Sequence, residues 1–317
     1  MSTPRWVLAP RITAGFTLAF GLFLAASVGS LVVEIQSAPL DAATLEALPS
    51  PVRDMFRERV QRHLLKAVRE AKEHTSWNHP DPGYEAALAR FVASVLGDGR
   101  FLAELQETAA SVARPGLLSG LSLALLKIAS PGVPDIYQGM ELPVFSLVDP
   151  DNRRAVDFQL RRRILEGLRA PDADPPANLD HARSLLAGLE DGRAKCFVTW
   201  RALNCRREHP DLFRDGDYLP LHADGARAGH ICAFARRLKD ELAVAVAPRL
   251  FKTLEPEGGN LWQGHRLEVP AAGDYCNVLT GECHAAQREK TRCWLPLAEV
   301  LAHFPVALLL MRNPKPA

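Results

Sequence analysis

The sequence predicts a mixed α+β fold. Charged and apolar residues alternate at helical spacing over most of the chain up to about residue 210, whereas from Tyr218 onward the apolar residues alternate one by one, with Gly and Pro marking the turns between segments. The 317 residues are 47% hydrophobic and suffice for about two domains at ~150 residues each. With 38 Lys+Arg against 37 Asp+Glu, the chain is neither a disordered polyampholyte nor an electrostatic binder of nucleic acid. Aromatic residues make up only 7%, too few for a stacking surface along single-stranded nucleic acid, which is excluded as a partner. Three regions follow: an apolar N-terminal segment with its linker (1–44), a helical region (45–210) and a C-terminal β domain (211–317).

Ile12 to Val33 carries no charge, with Arg5 and Arg11 before it and Glu34 after it. As a helix it would reach ~33 Å, enough for a bilayer core, and the basic flank would place the body outside the cytoplasm. Membrane insertion through 12–33, a cleaved signal peptide, a buried helix and a stretch that does not belong to the functional protein are the alternatives. A Pro-punctuated linker then runs from Ala38 to Val52. Met55 to Glu73 sets Phe56, Val60, Leu64, Ala67, Val68 and Ala71 on one helical face. Its basic residues Arg57, Arg59, Arg62, Lys66, Arg69 and Lys72 interleave with Glu58, Glu70 and Glu73, which reads as a solvated face and not a phosphate stripe.

Asp81-Pro82 supplies a cap and a first-turn proline for a helix that ends at Gly97. Leu117 to Ile128 is apolar on nearly every side and predicts a helix buried in a large core. Ser130 to Pro134 is a turn into Asp135-Ile136-Tyr137, which reads as one short buried strand leaving at Gly139. Helices follow over Phe158–Leu168, Ala182–Leu189 and Arg193–Arg207. Beyond them Leu242, Val244 and Val246, a turn at Thr280-Gly281 and a strand over Val306–Met311 predict an antiparallel domain.

The six cysteines, Cys196, Cys205, Cys232, Cys276, Cys283 and Cys293, lack the two-to-four-residue spacing of a zinc knuckle, so no metal and no cofactor is assigned. Reduced, buried thiols are the expectation; disulfides after export are the alternative.

Two stretches concentrate chemistry. Pro131 to Glu141 delivers Tyr137 and Glu141 into a Gly-flanked loop, a placement that lines ligand sites in α/β folds. Asp149-Pro150-Asp151-Asn152-Arg153-Arg154 packs carboxylates, an amide and guanidinium groups closely enough to hold sugar hydroxyls, or to lock a loop through Asp–Arg pairs, the favoured reading.

Gly132, Pro134, Tyr137, Gly139 and Glu141 resemble the Gly-x-Pro-x-x-Tyr-x-Gly-x-Glu pattern on the last barrel strand of the α-amylase superfamily (glycoside hydrolase family 13). Lys66 to Lys72, His74 to Trp77, Ser146 to Arg154 and Leu212 to Leu221 narrow the resemblance to the maltooligosyl trehalose synthases, from about Leu45 to the C-terminus. The resemblance implies the C-terminal remnant of a (β/α)8 barrel with a helical insert, followed by the antiparallel β domain. It also implies a cytoplasmic enzyme of trehalose biosynthesis, an isomerase that rearranges the reducing-end α-1,4 linkage of a maltooligosaccharide to α,α-1,1. That chemistry needs a carboxylate nucleophile, an acid/base carboxyl and exclusion of water. In the family these groups come from earlier barrel strands, so no catalytic residue is assigned here. Tyr137, Glu141, Asp149, Asp151, Asn152, Arg153 and Arg154 are the loop or supporting residues. Met140 and Pro143-Val144-Phe145 depart from the family pattern. The expected partners are a maltooligosaccharide or α-1,4-glucan and a missing N-terminal barrel half, the chain being a truncated homologue inactive alone. The competing reading is a membrane-anchored, noncatalytic glucan-binding scaffold, with Trp77, Tyr84, Tyr137, Trp200, Tyr218 and Trp262 as stacking candidates or core residues.

Overall fold

A computed structural model describes residues 50–147, 149, 151–169, 175–254 and 261–312. The apolar run 12–33 and the region 1–44 lie outside the described residues. Among the described residues, helices α1 (Ser50–Ala71), α2 (Pro82–Val95), α3 (Gly99–Ala129), α4 (Phe158–Leu168), α5 (Pro175–Ala187), α6 (Arg193–Glu208) and α7 (Pro210–Asp215) precede ten strands. These are β1 (Asp217–Leu221), β2 (Ala223–Asp224), β3 (Ile231–Leu238), β4 (Glu241–Pro248), β5 (Arg266–Val269), β6 (Asp274–Asn277), β7 (Cys283–Ala285), β8 (Gln287–Glu289), β9 (Arg292–Pro296) and β10 (Ala307–Arg312), with the short α8 (Leu297–Val300) between the last two. The fold is mixed helix and sheet, and both sheets are antiparallel.

The chain divides into two compact units whose borders cut across the sequence regions. One holds the described residues up to Ala113 together with those of 144–155; the other holds Arg114–Pro143 and the described residues from Val156. The first unit is built on α1, α2 and the opening turns of α3. Phe56, Val60 and Leu64 recur every four residues on α1 and bury against Val92, Leu96, Leu105 and Ala109. The Asp81 Oδ1 accepts the amides of Gly83 (2.9 Å) and Tyr84 (3.0 Å), satisfying two of the unpaired donors at the start of α2. The unit boundary falls at the Pro115 turn of α3, where the ladder lacks one backbone donor.

In the second unit α3 buries Leu117, Leu121, Leu125 and Ile128 at four- and three-residue steps, while Leu123 is exposed. The all-apolar stretch is therefore one buried face, not a helix enclosed all round. Among the described residues α3 alone is long and apolar enough to cross a membrane, but its buried face serves a protein core. The Ser122 Oγ donates to the Pro248 carbonyl at 2.7 Å, fixing α3 to the end of β4.

The larger sheet has the order β1-β3-β4-β10-β6-β7 and the smaller β2-β5-β9-β8. Leu242, Val244 and Val246 of β4 face the core with Ala235, Tyr275, Leu267, Leu295 and Leu309. The intervening Ala243, Ala245 and Ala247 are buried as well, on the opposite face, where α7 packs against β3 and β4. Small residues there allow close approach of a helix, which is why β4 is buried on both sides. Cys276 and Cys283 are cross-strand partners on β6 and β7 and form a disulfide, correcting the all-thiol expectation for this pair. Cys196, Cys205, Cys232 and Cys293 are free, and burial pushes the Cys205 thiol up to about 12, with Glu208 adding to the rise.

One expected strand does not form. Asp135-Ile136-Tyr137 belongs to no regular element, and Val133 and Tyr137 are exposed. A segment without a hydrogen-bonded neighbour cannot be a sheet strand, whatever its apolar content.

Candidate functional site

The stretch 149–154 is anchored by α1. Arg59 donates from Nε to Asp151 Oδ1 and from Nη2 to Oδ2, both at 3.0 Å, and Nη2 also reaches the Phe145 carbonyl at 2.9 Å. Asp151 Oδ2 accepts the Leu147 amide at 2.7 Å, so this one carboxylate closes the loop that precedes it. Burial would raise the Asp151 pKa, but the hydrogen bonds from Arg59 and Leu147, with the charges of Arg59 and Arg154, bring it below the usual aspartate value. Lys66, two helical turns after Arg59, donates to the Asp149 carbonyl at 2.7 Å and lies 3.4 Å from its carboxylate. Arg153 pairs with Asp149, and Arg154 donates to the Asp151 carbonyl at 3.2 Å. Asn152 is exposed.

The Asp–Arg pairs expected within the stretch are present, but the buried partner is Arg59, outside it. The reading of the α1 basic residues as a solvated face is corrected by Arg59, which is 7% exposed, and by Arg69, which forks onto Glu85 at 2.8 and 2.7 Å. Only part of the cluster, such as Arg62 paired with Glu58, fits the solvated reading. The missed signal was the seven-residue step from Arg59 to Lys66, which puts both on one edge of the apolar stripe.

The other stretch, 130–141, lies in the second unit and is held from α4 and α6. Arg161 donates from Nη2 to the Gly139 carbonyl at 2.7 Å and from Nε to Glu141 Oε2 at 3.2 Å. Gly139 has φ +92°, and a Cβ there would come within 3.1 Å of Val156. The Met140 amide donates to the Tyr137 carbonyl at 3.1 Å, closing a turn that leaves the Tyr137 ring 71% exposed. Arg206 donates to the carbonyls of Ile128 (2.7 Å), Ser130 (3.2 Å) and Gly132. Lys195 donates to the Leu142 carbonyl at 3.2 Å; burial and the charge of Lys127 lower its pKa, partly offset by Glu141. Sequence reasoning found Tyr137 and Glu141 but not Arg161, Lys195 or Arg206, which set the shape of their loop.

Of the aromatic stacking candidates, Trp77, Tyr137 and Tyr218 are exposed, whereas Trp262 is buried in the β-domain core. The Arg69 guanidinium covers the Trp77 ring at 4.9 Å. Tyr84 and Trp200 are half-buried, Tyr84 beside His74 and Trp200 beside Phe197.

No family model matches the chain. A protein of Mycobacterium tuberculosis that carries the name maltooligosyl trehalose synthase is 35% identical over 258 residues, covering 81% of this chain and 29% of its own length. The structure of maltooligosyltrehalose synthase from Arthrobacter ramosus is 35% identical with a TM-score of 0.63, over 81% of this chain and 30% of that one. A mutant of the Arthrobacter enzyme matches over 95% of this chain and 36% of that one, at 30% identity and a TM-score of 0.66. The chain thus spans about three tenths of the length of the curated relatives it matches. Sequence and fold point to the same proteins: the chain is similar to part of the maltooligosyl trehalose synthases.

Proposed function

We propose that this chain is the C-terminal portion of a maltooligosyl trehalose synthase, a cytoplasmic (1→4)-α-D-glucan 1-α-D-glucosylmutase, and that it supplies loop and β-domain parts of the enzyme while a barrel half supplies the carboxylates. The observation that carries this reading is the held but unpaired segment 130–141. Arg206 grips its start and Arg161 its end, so the motif residues are ordered even though no strand of the described residues flanks them. Arginine forks spent on backbone carbonyls fix a loop in one shape, which suits a site wall better than a spacer.

In that role the exposed Tyr137 ring offers a face on which a glucosyl ring stacks, and Glu141 holds the loop through Arg161. Asp149, Asp151, Arg153 and Arg154 order the second loop, leaving the Asn152 amide free to meet a hydroxyl. Rearrangement of the terminal linkage proceeds through a glycosyl-enzyme intermediate that must be shielded from water. Ordered loops of this kind contribute the shielding, not the bond cleavage. Nothing in the comparisons favours the membrane-anchored scaffold.

The test has two arms. The purified chain incubated with maltopentaose leaves the reducing ends intact; their loss faster than in a heat-killed control overturns the division of labour. Grafted in place of the corresponding stretch of the Arthrobacter ramosus enzyme, residues 50–312 support conversion to a nonreducing product. A well-folded, inactive graft overturns the assignment.

A further inference from the structure

Trp294 is buried, yet it does not face the core. Its neighbours Cys293 and Leu295 point into the β-domain core with Leu267, so the alternation of β9 turns Trp294 to the opposite face of the smaller sheet. There Glu268 and Gln287 stand beside it in register. Arg266 lies over the ring with its guanidinium carbon 4.2 Å from the centroid. The guanidinium is fixed in turn by Asp224 at 3.1 Å and Glu289 at 2.7 Å. A cleft of about 410 Å³ opens against this stack, walled by Gln287, Trp294, Pro296 and Glu299, within the ~300–1,000 Å³ usual for small-ligand sites.

The chemistry of the walls selects the ligand. Arg266 is already matched by two carboxylates, and Glu299 adds a third, so the cleft has no spare positive charge for a phosphate or carboxylate ligand. Amide and carboxylate groups line it too densely for a lipid chain. The little apolar surface that Trp294, Pro296 and Ala298 give the wall, set among hydrogen-bonding side chains, suits a neutral ring with one apolar face and a rim of hydroxyls, which describes a sugar. We propose that this cleft binds a glucosyl segment of an α-1,4-glucan, anchoring the polymer on the β domain. The choice of α-1,4-glucan among sugars rests on the function proposed above; the cleft itself does not.

Native electrophoresis of the full chain through gels containing glycogen tests the site. The chain is expected to be retarded relative to a glycogen-free gel. Trp294→Ala should abolish the retardation, and Gln287→Ala, at an exposed position that leaves folding intact, should weaken it several-fold. Equal retardation of the parent and both variants, or no retardation of the parent, overturns the site. Retardation by dextran but not by glycogen, with the same sensitivity to the two variants, overturns the α-1,4 assignment while leaving a sugar cleft. Failure of the proposed function is read separately, in the graft assay, which does not depend on glycogen binding.

Discussion

Arg59 and Asp151, 92 residues apart in sequence, meet in a two-pronged charge pair that also carries the Phe145 carbonyl and the Leu147 amide. Both side chains are largely buried, at 7% and 11% exposure, so the pair is not one of the solvent-exposed bridges worth only ~0–1 kcal/mol. Arg59→Ala leaves the Asp151 carboxylate largely buried with only the Leu147 amide and the more distant Arg154 charge, 3.8 Å away, and the expected loss is about 3 kcal/mol, the lower end of what breaking a buried pair costs. The double variant Arg59→Ala/Asp151→Ala should lose less than the sum of the single changes, because neither charge is then stranded. Urea unfolding followed by far-ultraviolet circular dichroism measures all three; a loss below about 1 kcal/mol for Arg59→Ala would show that the pair behaves as an exposed one.

Glu85 gives the first unit an acid-sensitive contact. Hydrogen bonds from Arg69 and Thr75 lower its pKa to about 2 against the opposing effect of burial. A carboxylate whose folded pKa lies below its unfolded value of ~4.3 contributes stability that is complete above that value and lost as the pH falls through the folded pKa. Asp151 is shifted in the same direction, so the two contacts weaken together on acidification. Thermal melts between pH ~6 and ~3 should show a falling midpoint that is shallower in Glu85→Gln, which no longer titrates. An unchanged slope in that variant would remove Glu85 from the account.

The helices were legible because their stabilising pattern is local. Phe56, Val60 and Leu64 announce α1, and Asp81-Pro82 announces the start of α2 before any tertiary contact is known. The antiparallel domain was legible from Leu242, Val244 and Val246 for the same reason. The fate of Arg59 was not, since its partner is chosen by a loop far along the chain and helical periodicity does not encode that. The triplet Asp135-Ile136-Tyr137 failed as a strand because strand identity belongs to a pair of segments, and one apolar triplet cannot supply its own neighbour. At the candidate site Tyr137 and Glu141 were visible as a motif. Arg161 was hidden in the run Arg161-Arg162-Arg163, although its seven-residue step to the buried Leu168 marks it as the inward member.

Gly192 tests how tightly the end of the same loop is built. It caps the start of α6 at φ +79°, and a Cβ on it would lie 2.6 Å from Pro143 Cδ. Both the left-handed backbone and the proline ring oppose any side chain, and the strain of such a backbone alone is of order 1–3 kcal/mol. Gly192→Ala is expected to lower stability by about 2 kcal/mol or more, whereas Gly120→Ala, with open space at its Cβ, should be neutral or stabilising. Equal effects of the two changes on the urea midpoint would contradict the close approach to Pro143.

The fork of Arg161 makes a sharper claim, because it separates shape from charge. Its Nη2 holds the Gly139 carbonyl while Nε holds Glu141, and a lysine at this position could keep the charge near Glu141 but could not span both acceptors. Hydrogen bonds to charged groups contribute ~1.5–3 kcal/mol. Losing one of that strength from a local opening equilibrium, where each ~1.4 kcal/mol is a factor of ten, should speed exchange by roughly tenfold or more. The Met140 amide, bonded to the Tyr137 carbonyl, is the reporter, and its hydrogen exchange should accelerate in Arg161→Lys. Amides deep in β4, such as that of Val244, should keep the parent rate, because their protection comes from the sheet and not from this loop. Acceleration at both places would mean that Arg161 supports the whole unit; an unchanged Met140 rate would mean that the turn from Tyr137 to Glu141 holds itself without the fork.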